Sequence, residues 1–300
     1  MKRFIVLTVR PGRAALALAA LLAVLLIVLV WPRPAYGGEG GYCDTVYGED
    51  VPAMADPGGD VAGRRARLAI IIDDFGQGRE GVRQMMTINR PLTFAVMPFG
   101  TFTKEDAEAA YTNGYEVIVH LPMEPIHGQA SWLGSNPILC SQDDEKISTI
   151  THMALADVPH AKGANVHMGS RASADERVMR CILREVFKAG FFFVDSRTGP
   201  KTVIKAVAEE LDVPCVERNV FLDGQRPKSH IVKQLRLAGE LALKQGYAVA
   251  IGHVGIEGGK PTAEGIMEML PEFDKMGVQL VFVSELVGPG GPLAVQKEGS

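Results

Sequence analysis

The chain has 300 residues and a formal net charge of −4, from 31 basic and 35 acidic residues. The charges are interspersed, without the basic patch or stripe typical of nucleic-acid-binding proteins, so we expect no nucleic-acid partner. The four cysteines show no CxxC spacing, which argues against a zinc-knuckle signature.

The N-terminus predicts export. Residues 14–31 are uninterrupted apolar residues, and the short segment 1–13 before them is basic. This pattern predicts a transmembrane anchor with its basic flank in the cytoplasm. A cleaved signal peptide is the alternative, because residues 35–37 offer small residues at a suitable spacing. Under both interpretations the folded part lies outside the cytoplasm, in a periplasm where the cell has one, either anchored to the inner membrane or secreted.

The remaining chain divides by composition. Residues 32–65 are rich in Gly, Pro and Asp, which predicts a flexible linker, and residues 288–300 form a similar tail. The segment between them, 66–287, has the length of one α/β barrel domain. In an oxidising compartment a disulfide between Cys43 and Cys140 is conceivable, since both are predicted loop residues.

Within residues 66–287, short apolar runs alternate with helical patterns. The runs are rich in Val, Ile and Phe, as expected for parallel strands covered on both faces. This predicts either a closed barrel or a doubly wound sheet, and no GxGxxG or P-loop motif follows any strand. The predicted strands are 68–72, 92–97, 115–120, 163–167, 191–194, 215–222, 247–252 and 278–283. The predicted helices are 103–113, 143–157, 173–189, 200–211, 228–245 and 262–276.

Acidic and imidazole side chains follow six of these strands. Because the carboxyl ends of parallel strands share one rim, residues at these ends are expected to converge there. A single strand-end histidine is usually structural, but six such strands indicate a functional site. The strand-end residues are Asp73, Asp74, His120, His167, Asp195, Asp223 and His253.

The residue types favour a divalent cation. Asp73 and Asp74 are adjacent at the end of a buried strand, where two carboxylates need either a nearby cation or a raised pKa. Asp74 has a simpler alternative, the capping of the next turn. A mixed Asp, His and Glu set suits zinc first among borderline metals. Glu124 lies four residues after His120, although the intervening prolines argue against one helix carrying both.

The segments IIDDFG, GYEVIVHLPMEP, GANVHMGSRAS, FFFVDSRT and AIGHV resemble the divergent polysaccharide deacetylase family of the glycoside hydrolase/deacetylase superfamily. The resemblance implies a distorted (β/α) barrel of about seven parallel strands and metal-dependent removal of acyl groups from amino sugars. It implies that Asp73 is the general base, Asp74 and His120 are metal ligands, and His253 is the general acid. Glu124 stands where the superfamily has its second metal-binding histidine.

One motif departs from that pattern. The arginine-proline motif that usually holds the catalytic aspartate is replaced by His167-Met-Gly-Ser170. The third metal ligand is therefore His167 or Glu124, and Arg171 or Arg197 is expected to tether Asp73.

Three further assignments concern the same rim. Asp195 is expected to orient His253. Arg171, Arg197 and Trp132 are candidates for substrate binding; Trp132 is interpreted either as a stacking surface for a sugar or as a buried loop anchor.

The sequence therefore predicts an exported, metal-dependent, deacetylase-like hydrolase that acts on N-acyl amino sugars of an envelope or extracellular polysaccharide. One alternative is a catalytically silent, membrane-tethered carbohydrate-binding or scaffold relative. Another is a metal-free glycosidase that pairs Asp73 with Asp195 or Glu124.

Overall fold

The computed structural model describes residues 66–256, 258–288 and 291–293. The basic segment 1–13, the apolar segment 14–31, the linker 32–65 with Cys43, and the tail from residue 294 lie outside the described residues. Within the described ranges, no helix is long and apolar enough to cross a membrane.

Strands and helices alternate in the predicted order. The elements are β1 (Ala66–Phe75), α1 (Val82–Met85), β2 (Thr93–Val96), α2 (Thr103–Thr112), β3 (Glu116–Met123), α3 (Asp144–Asp157), β4 (Ala161–Met168), α4 (Glu176–Lys188), β5 (Phe192–Asp195), α5 (Ile204–Glu210), β6 (Cys215–Glu217), β7 (Val220–Phe221), α6 (Lys228–Gln245), β8 (Tyr247–His253), α7 (Gly259–Met276), β9 (Val278–Val281) and α8 (Ser284–Val287).

Helix boundaries differ from the prediction where capping was misread. The helix predicted from residue 173 begins at Glu176, because the side chain of Asp175 accepts a hydrogen bond from the Val178 amide and caps it. The helix predicted from residue 262 begins at Gly259. The hydroxyl of Thr262 is instead used in a tertiary hydrogen bond described below.

The strands form one parallel sheet in the order β6-β5-β4-β3-β2-β1-β8-β7. Strand β1 is central: it pairs with β8 along one edge, and with β9 and then β2 along the other. All these pairings are parallel, so every strand ends at the same rim. The predicted α/β class is confirmed.

The two ends of the sheet meet at a bend. The predicted strand 215–222 is split into β6 and β7, with only Arg218 and Asn219 between them. The Arg218 amide donates to the carbonyl of Asp195 on β5 at 2.9 Å, and the Asn219 amide donates to the carbonyl of Val249 on β8 at 2.8 Å. One bent segment therefore links opposite sides of the sheet, which confirms the distorted barrel.

The central strands β1, β2 and β3 are buried on both faces. In β1, Ala69 and Ile71 point into the barrel, while Ile70 and Ile72 pack against the surrounding helices. The inner layer continues around the barrel and is closed at the amino-terminal end of the strands by α8. Its main members are Ala69, Ile71, Ala95, Ile118, Phe192, Val194, Val216, Val249, Ile251, Leu286 and Val287.

Candidate metal centre and active site

The inward-facing rows of side chains become polar at the rim. Asp73 follows Ile71 by two residues, His120 follows Ile118, and His253 follows Ile251. Because side chains alternate along a strand, these three groups stand above the apolar interior of the barrel. Asp74 does not follow this alternation: its φ is +71°, a left-handed conformation at the point where β1 loses its regular pairing with β2.

Three ligand atoms face one another at this rim. Oδ1 of Asp74 lies 3.3 Å from Nε2 of His120 and 3.1 Å from Nδ1 of His167. The two ring nitrogens are themselves 3.1 Å apart. Zinc bonds of about 2.0 Å in tetrahedral geometry separate neighbouring ligand atoms by about 3.3 Å. The triangle therefore has the dimensions of three ligands on one tetrahedral ion.

The opposite nitrogen of each ring has an acceptor. Nδ1 of His120 lies 2.7 Å from Oδ1 of Asn165, and Nε2 of His167 lies 3.0 Å from the carbonyl oxygen of Trp132. Each of these nitrogens must carry the proton in a neutral ring, because it faces an oxygen that only accepts. The lone pairs of both rings are thereby directed at Asp74, as in metal sites whose histidines are oriented by a second hydrogen bond.

The cluster is suited to a cation. Oδ1 of Asp74 is buried and has no hydrogen-bond partner in the described part of the chain. Burial alone would raise the pKa of Asp74, but the facing His120 and His167 hold it well below its usual value. Burial similarly opposes protonation of His167, and the contact with Asp74 outweighs it and raises the histidine pKa. Among the described residues, Asp74, His120 and His167 form the group that could hold a metal ion.

Asp73 lies beside this group and has its own support. Its Oδ1 accepts a hydrogen bond of 2.8 Å from the amide of Asn165, and its Oδ2 lies 3.7 Å from Nε2 of His120. Asp73 is only 2 % exposed, and burial raises its pKa although His120 and His253 oppose the shift. A carboxylate of raised basicity next to a candidate metal site is suited to accept a proton.

His253 lies on the neighbouring strand, directly paired with Asp73 in the β1–β8 register. Its Nδ1 lies 2.8 Å from Oδ1 of Asp223, and its backbone amide donates to Oδ2 of the same carboxylate at 2.7 Å. The hydroxyl of Thr262 also donates to this Oδ2 at 2.8 Å. Burial lowers the pKa of His253, but the charge of Asp223 prevails and raises it to about 10. The imidazolium can therefore donate a proton at neutral pH.

The divergent polysaccharide deacetylase family matches residues 70–287 of the chain, which is most of its length. The chain belongs to this family.

Two relatives and one solved structure are similar to this chain. The uncharacterized protein YibQ of Escherichia coli is 33% identical over 187 residues, covering 62% of this chain and 58% of YibQ. An uncharacterized protein of Haemophilus influenzae is 29% identical over 189 residues, covering 63% and 67%. The chain thus spans less than two thirds of the length of YibQ. The crystal structure of an uncharacterized protein from Agrobacterium tumefaciens superimposes with a TM-score of 0.69 at 20% identity, covering 75% of this chain and 91% of that one, which shows a shared fold.

The structure differs from the sequence prediction at Glu124, which is not part of the candidate metal-binding group. Its Oε1 pairs with Arg171 at 3.0 Å, and its Oε2 accepts the Cys140 amide at 2.6 Å. The carboxylate is therefore engaged in holding two loops together. Cys140 carries a free thiol in this structure, and burial, reinforced by Glu124, raises its pKa to about 11.

The predicted role of Asp195 in orienting His253 is wrong, because Asp223 performs it. Asp195 follows Phe193 by two residues, and Phe193 belongs to the layer between the sheet and the helices. Its Oδ1 accepts the Arg197 amide at 2.8 Å, and burial raises its pKa. Asp195 thus faces away from the barrel interior, which also removes its pairing with Asp73 as glycosidase carboxylates.

The predicted arginine tether of Asp73 is replaced by Asn165. Arg171 pairs with Glu124, and Arg197 pairs with Glu217 at 2.7 Å. Substrate binding by these two arginines stays a prediction, as does that by Trp132, whose side chain is half exposed.

Sequence patterns did not indicate Asn165 as a site residue, nor the contacts that Asp223 makes with Thr262 and with His253. The signal for Asn165 was its position two residues before His167 on the same strand, which places both on one face. A side-chain amide buried in the inner row of a barrel costs free energy unless it is hydrogen-bonded, so this position predicts a hydrogen-bonding role.

Proposed function

We propose that this chain is an exported, metal-dependent hydrolase that removes acyl groups from N-acyl amino sugars of an envelope or extracellular polysaccharide. The observation that carries the proposal is the triangle of Asp74, His120 and His167, with both imidazole lone pairs directed at the same point. Family membership supports deacylation as the reaction. The apolar segment 14–31 supports export.

The cation would be held by Asp74, His120 and His167, and zinc suits this set of one carboxylate and two imidazoles. When bound, it would supply Lewis-acid polarisation of the acyl carbonyl and of the attacking water. The rest of the chemistry belongs to the side chains.

Two groups manage the protons. Asp73, buried and held by Asn165, accepts a proton from the water molecule whose oxygen attacks the amide carbon. His253, charged through its contact with Asp223, donates a proton to the amine nitrogen as the carbon–nitrogen bond breaks. The products are a carboxylic acid and a free amino sugar. Because the register pairs Asp73 with His253, base and acid stand on adjacent strands of one site.

The experiment combines metal analysis with acetate release from an N-acetylglucosamine tetramer. Asp73→Asn is expected to keep stoichiometric zinc and lose turnover by roughly 100-fold or more, the usual contribution of a general base. Asp74→Asn is expected to lose both. Lys244→Gln, on the last turn of α6, is the control and should change neither. Equal loss of zinc in the two aspartate variants would contradict this division of roles.

The second candidate is a relative that binds carbohydrate without hydrolysing it. It is favoured by one departure: the position of the superfamily's second histidine holds Glu124, which is engaged with Arg171 and the Cys140 amide. Protein that binds the tetramer but neither retains zinc nor releases acetate would establish this candidate and reject the hydrolase.

A further inference from the structure

The loop between β3 and α3 makes a closed excursion over the rim. Its ends are held together by two hydrogen bonds of 2.9 Å, from the Glu124 amide to the Ile138 carbonyl and from the Ile138 amide to the Pro122 carbonyl. Because entry and exit are fixed at one point, the residues between them form a compact unit rather than an open strand-to-helix connection. We call residues 125–137 the rim loop.

The rim loop is also fastened to the site. The amide of Ile126 donates to the hydroxyl of Ser170 at 2.9 Å, and the carbonyl of Trp132 accepts the bond from Nε2 of His167 at 3.0 Å. Trp132 ends a single turn of 3-10 helix, with its amide bonded to the Gln129 carbonyl at 3.0 Å. Its backbone is thus held at both its amide and its carbonyl, next to a candidate metal ligand.

The indole of Trp132, unlike its backbone, is not tightly held by the surrounding structure. It is 50% exposed, whereas the next residue, Leu133, is 5% exposed and supplies the buried anchor of the loop. This exposure favours the interpretation of Trp132 as a stacking surface over that as a buried anchor. A half-exposed aromatic side chain, held in place by its backbone beside a candidate metal ligand, is available to stack on a bound ring. Carbohydrate rings present flat apolar faces that suit such a surface.

We propose that the Trp132 indole is a platform on which a pyranose ring stacks beside the metal centre. The ligand is then an oligomer or polymer of amino sugars, one unit of which covers Trp132 while its neighbour is deacylated. This inference rests on the proposed function. In this proposal the two parts of Trp132 have different roles: its main-chain carbonyl orients His167, and its side chain binds the substrate.

That division makes the proposal testable, because a side-chain substitution leaves the carbonyl in place. The chain has two tryptophans, Trp31 and Trp132, so Trp31→Phe yields a full chain whose tryptophan fluorescence reports on Trp132 alone. Titration of the zinc-loaded protein with an N-acetylglucosamine tetramer is expected to change this fluorescence saturably. The monosaccharide is expected to produce a much weaker response.

Three variants complete the experiment, with binding measured calorimetrically. Trp132→Ala should weaken tetramer binding about tenfold, whereas Trp132→Phe, which keeps a flat ring, should weaken it less than about threefold. Phe187→Ala removes an aromatic side chain of similar exposure, 56%, from α4 and should change nothing. All variants should retain zinc, since the hydrogen bond to His167 comes from the backbone.

Unaltered tetramer affinity in Trp132→Ala, or loss of zinc in that variant, would overturn the platform. Acetate release is measured in parallel to separate the two proposals. Acetate release would keep the hydrolase. The platform would still be rejected if the tetramer left the fluorescence of the Trp31→Phe protein unchanged and the KM of Trp132→Ala equalled that of the wild type. Saturable fluorescence that depends on Trp132 without acetate release would keep the platform and reject the hydrolase.

Discussion

Nδ1 of His253 lies 2.8 Å from Oδ1 of Asp223, and the second oxygen of the same carboxylate accepts bonds from the His253 amide and the Thr262 hydroxyl. The carboxylate is thereby fixed in three directions, and the ring is held with its Nε2 available to a substrate. Asp223 reaches this position from the strand segment that closes the barrel. The segment that closes the sheet therefore also positions His253, the proposed proton donor.

Replacing Asp223 by Asn should lower the pKa of His253, which the Asp223 charge raises to about 10. The alkaline limb of the pH–kcat profile should move to lower pH, with kcat at neutral pH reduced by roughly 100-fold. The raised pKa of His253 also sets a pH dependence of stability. The charged pair with Asp223 stabilises the fold fully below the unfolded histidine pKa, and this stabilisation is lost as the pH rises through the folded pKa.

A bound cation would repel the His253 imidazolium and so lower the His253 pKa in both the wild type and the variant. The two proteins are therefore compared at equal zinc occupancy. An unmoved alkaline limb in Asp223→Asn would show that another group donates the proton.

Replacing Asn165 by Leu should weaken two functions at once. Oδ1 of Asn165 accepts a hydrogen bond of 2.7 Å from Nδ1 of His120, and its amide nitrogen donates one of 2.8 Å to Asp73. Its loss therefore leaves both the candidate ligand and the candidate base without this support. Loss of such an orienting partner lowers metal affinity by about 10- to 100-fold. Competition with a chelator of known affinity measures the first effect, and kcat at saturating zinc measures the second. Asn113→Ala, at the end of α2, serves as the control. Undiminished zinc affinity would exclude a role for Asn165 in orienting His120.

Zinc should stabilise the folded domain. A ligand that binds only the native state contributes about 2.7 kcal/mol at a concentration of 100 times its Kd. For a domain of this size, that free energy corresponds to a rise in Tm of roughly 5 to 10 °C. Differential scanning calorimetry with and without a chelator provides the measurement. His120→Ala should melt at the same temperature under both conditions, and a zinc-dependent rise in that variant would place the cation elsewhere.

Glu124→Gln should leave zinc affinity within about twofold of the wild type, since both oxygens of Glu124 bind Arg171 and the Cys140 amide instead of the metal group. Its effect on unfolding should be about 1 kcal/mol or less, because the Arg171 side chain is mostly exposed. His167→Gln is the matched variant and should lose zinc binding. A larger loss of zinc in Glu124→Gln than in His167→Gln would restore Glu124 as the third ligand.

Much of the fold could be predicted from local patterns. The short apolar runs are the strands, and the longer amphipathic segments are the helices, since both faces of each parallel strand must be covered. The rim was also predictable, because parallel strands all point their carboxyl ends the same way. Asp73, Asp74, His120, His167 and His253 were expected at this rim, and the structure brings them together there.

The tertiary structure alone decided which rim residues face each other. Asp195 and Asp223 both follow an apolar strand, yet Asp195 points toward the helices while Asp223 reaches His253. The sequence does not distinguish them, because strands apolar on both faces show no alternation that marks the inside. Likewise, Glu124 and His167 were equivalent candidates until the pairing of β3 with β4 and the left-handed turn at Asp74 set the distances. Composition and order along the chain therefore determined the chemistry that is possible, and the curvature of the sheet selected the residues that can perform it together.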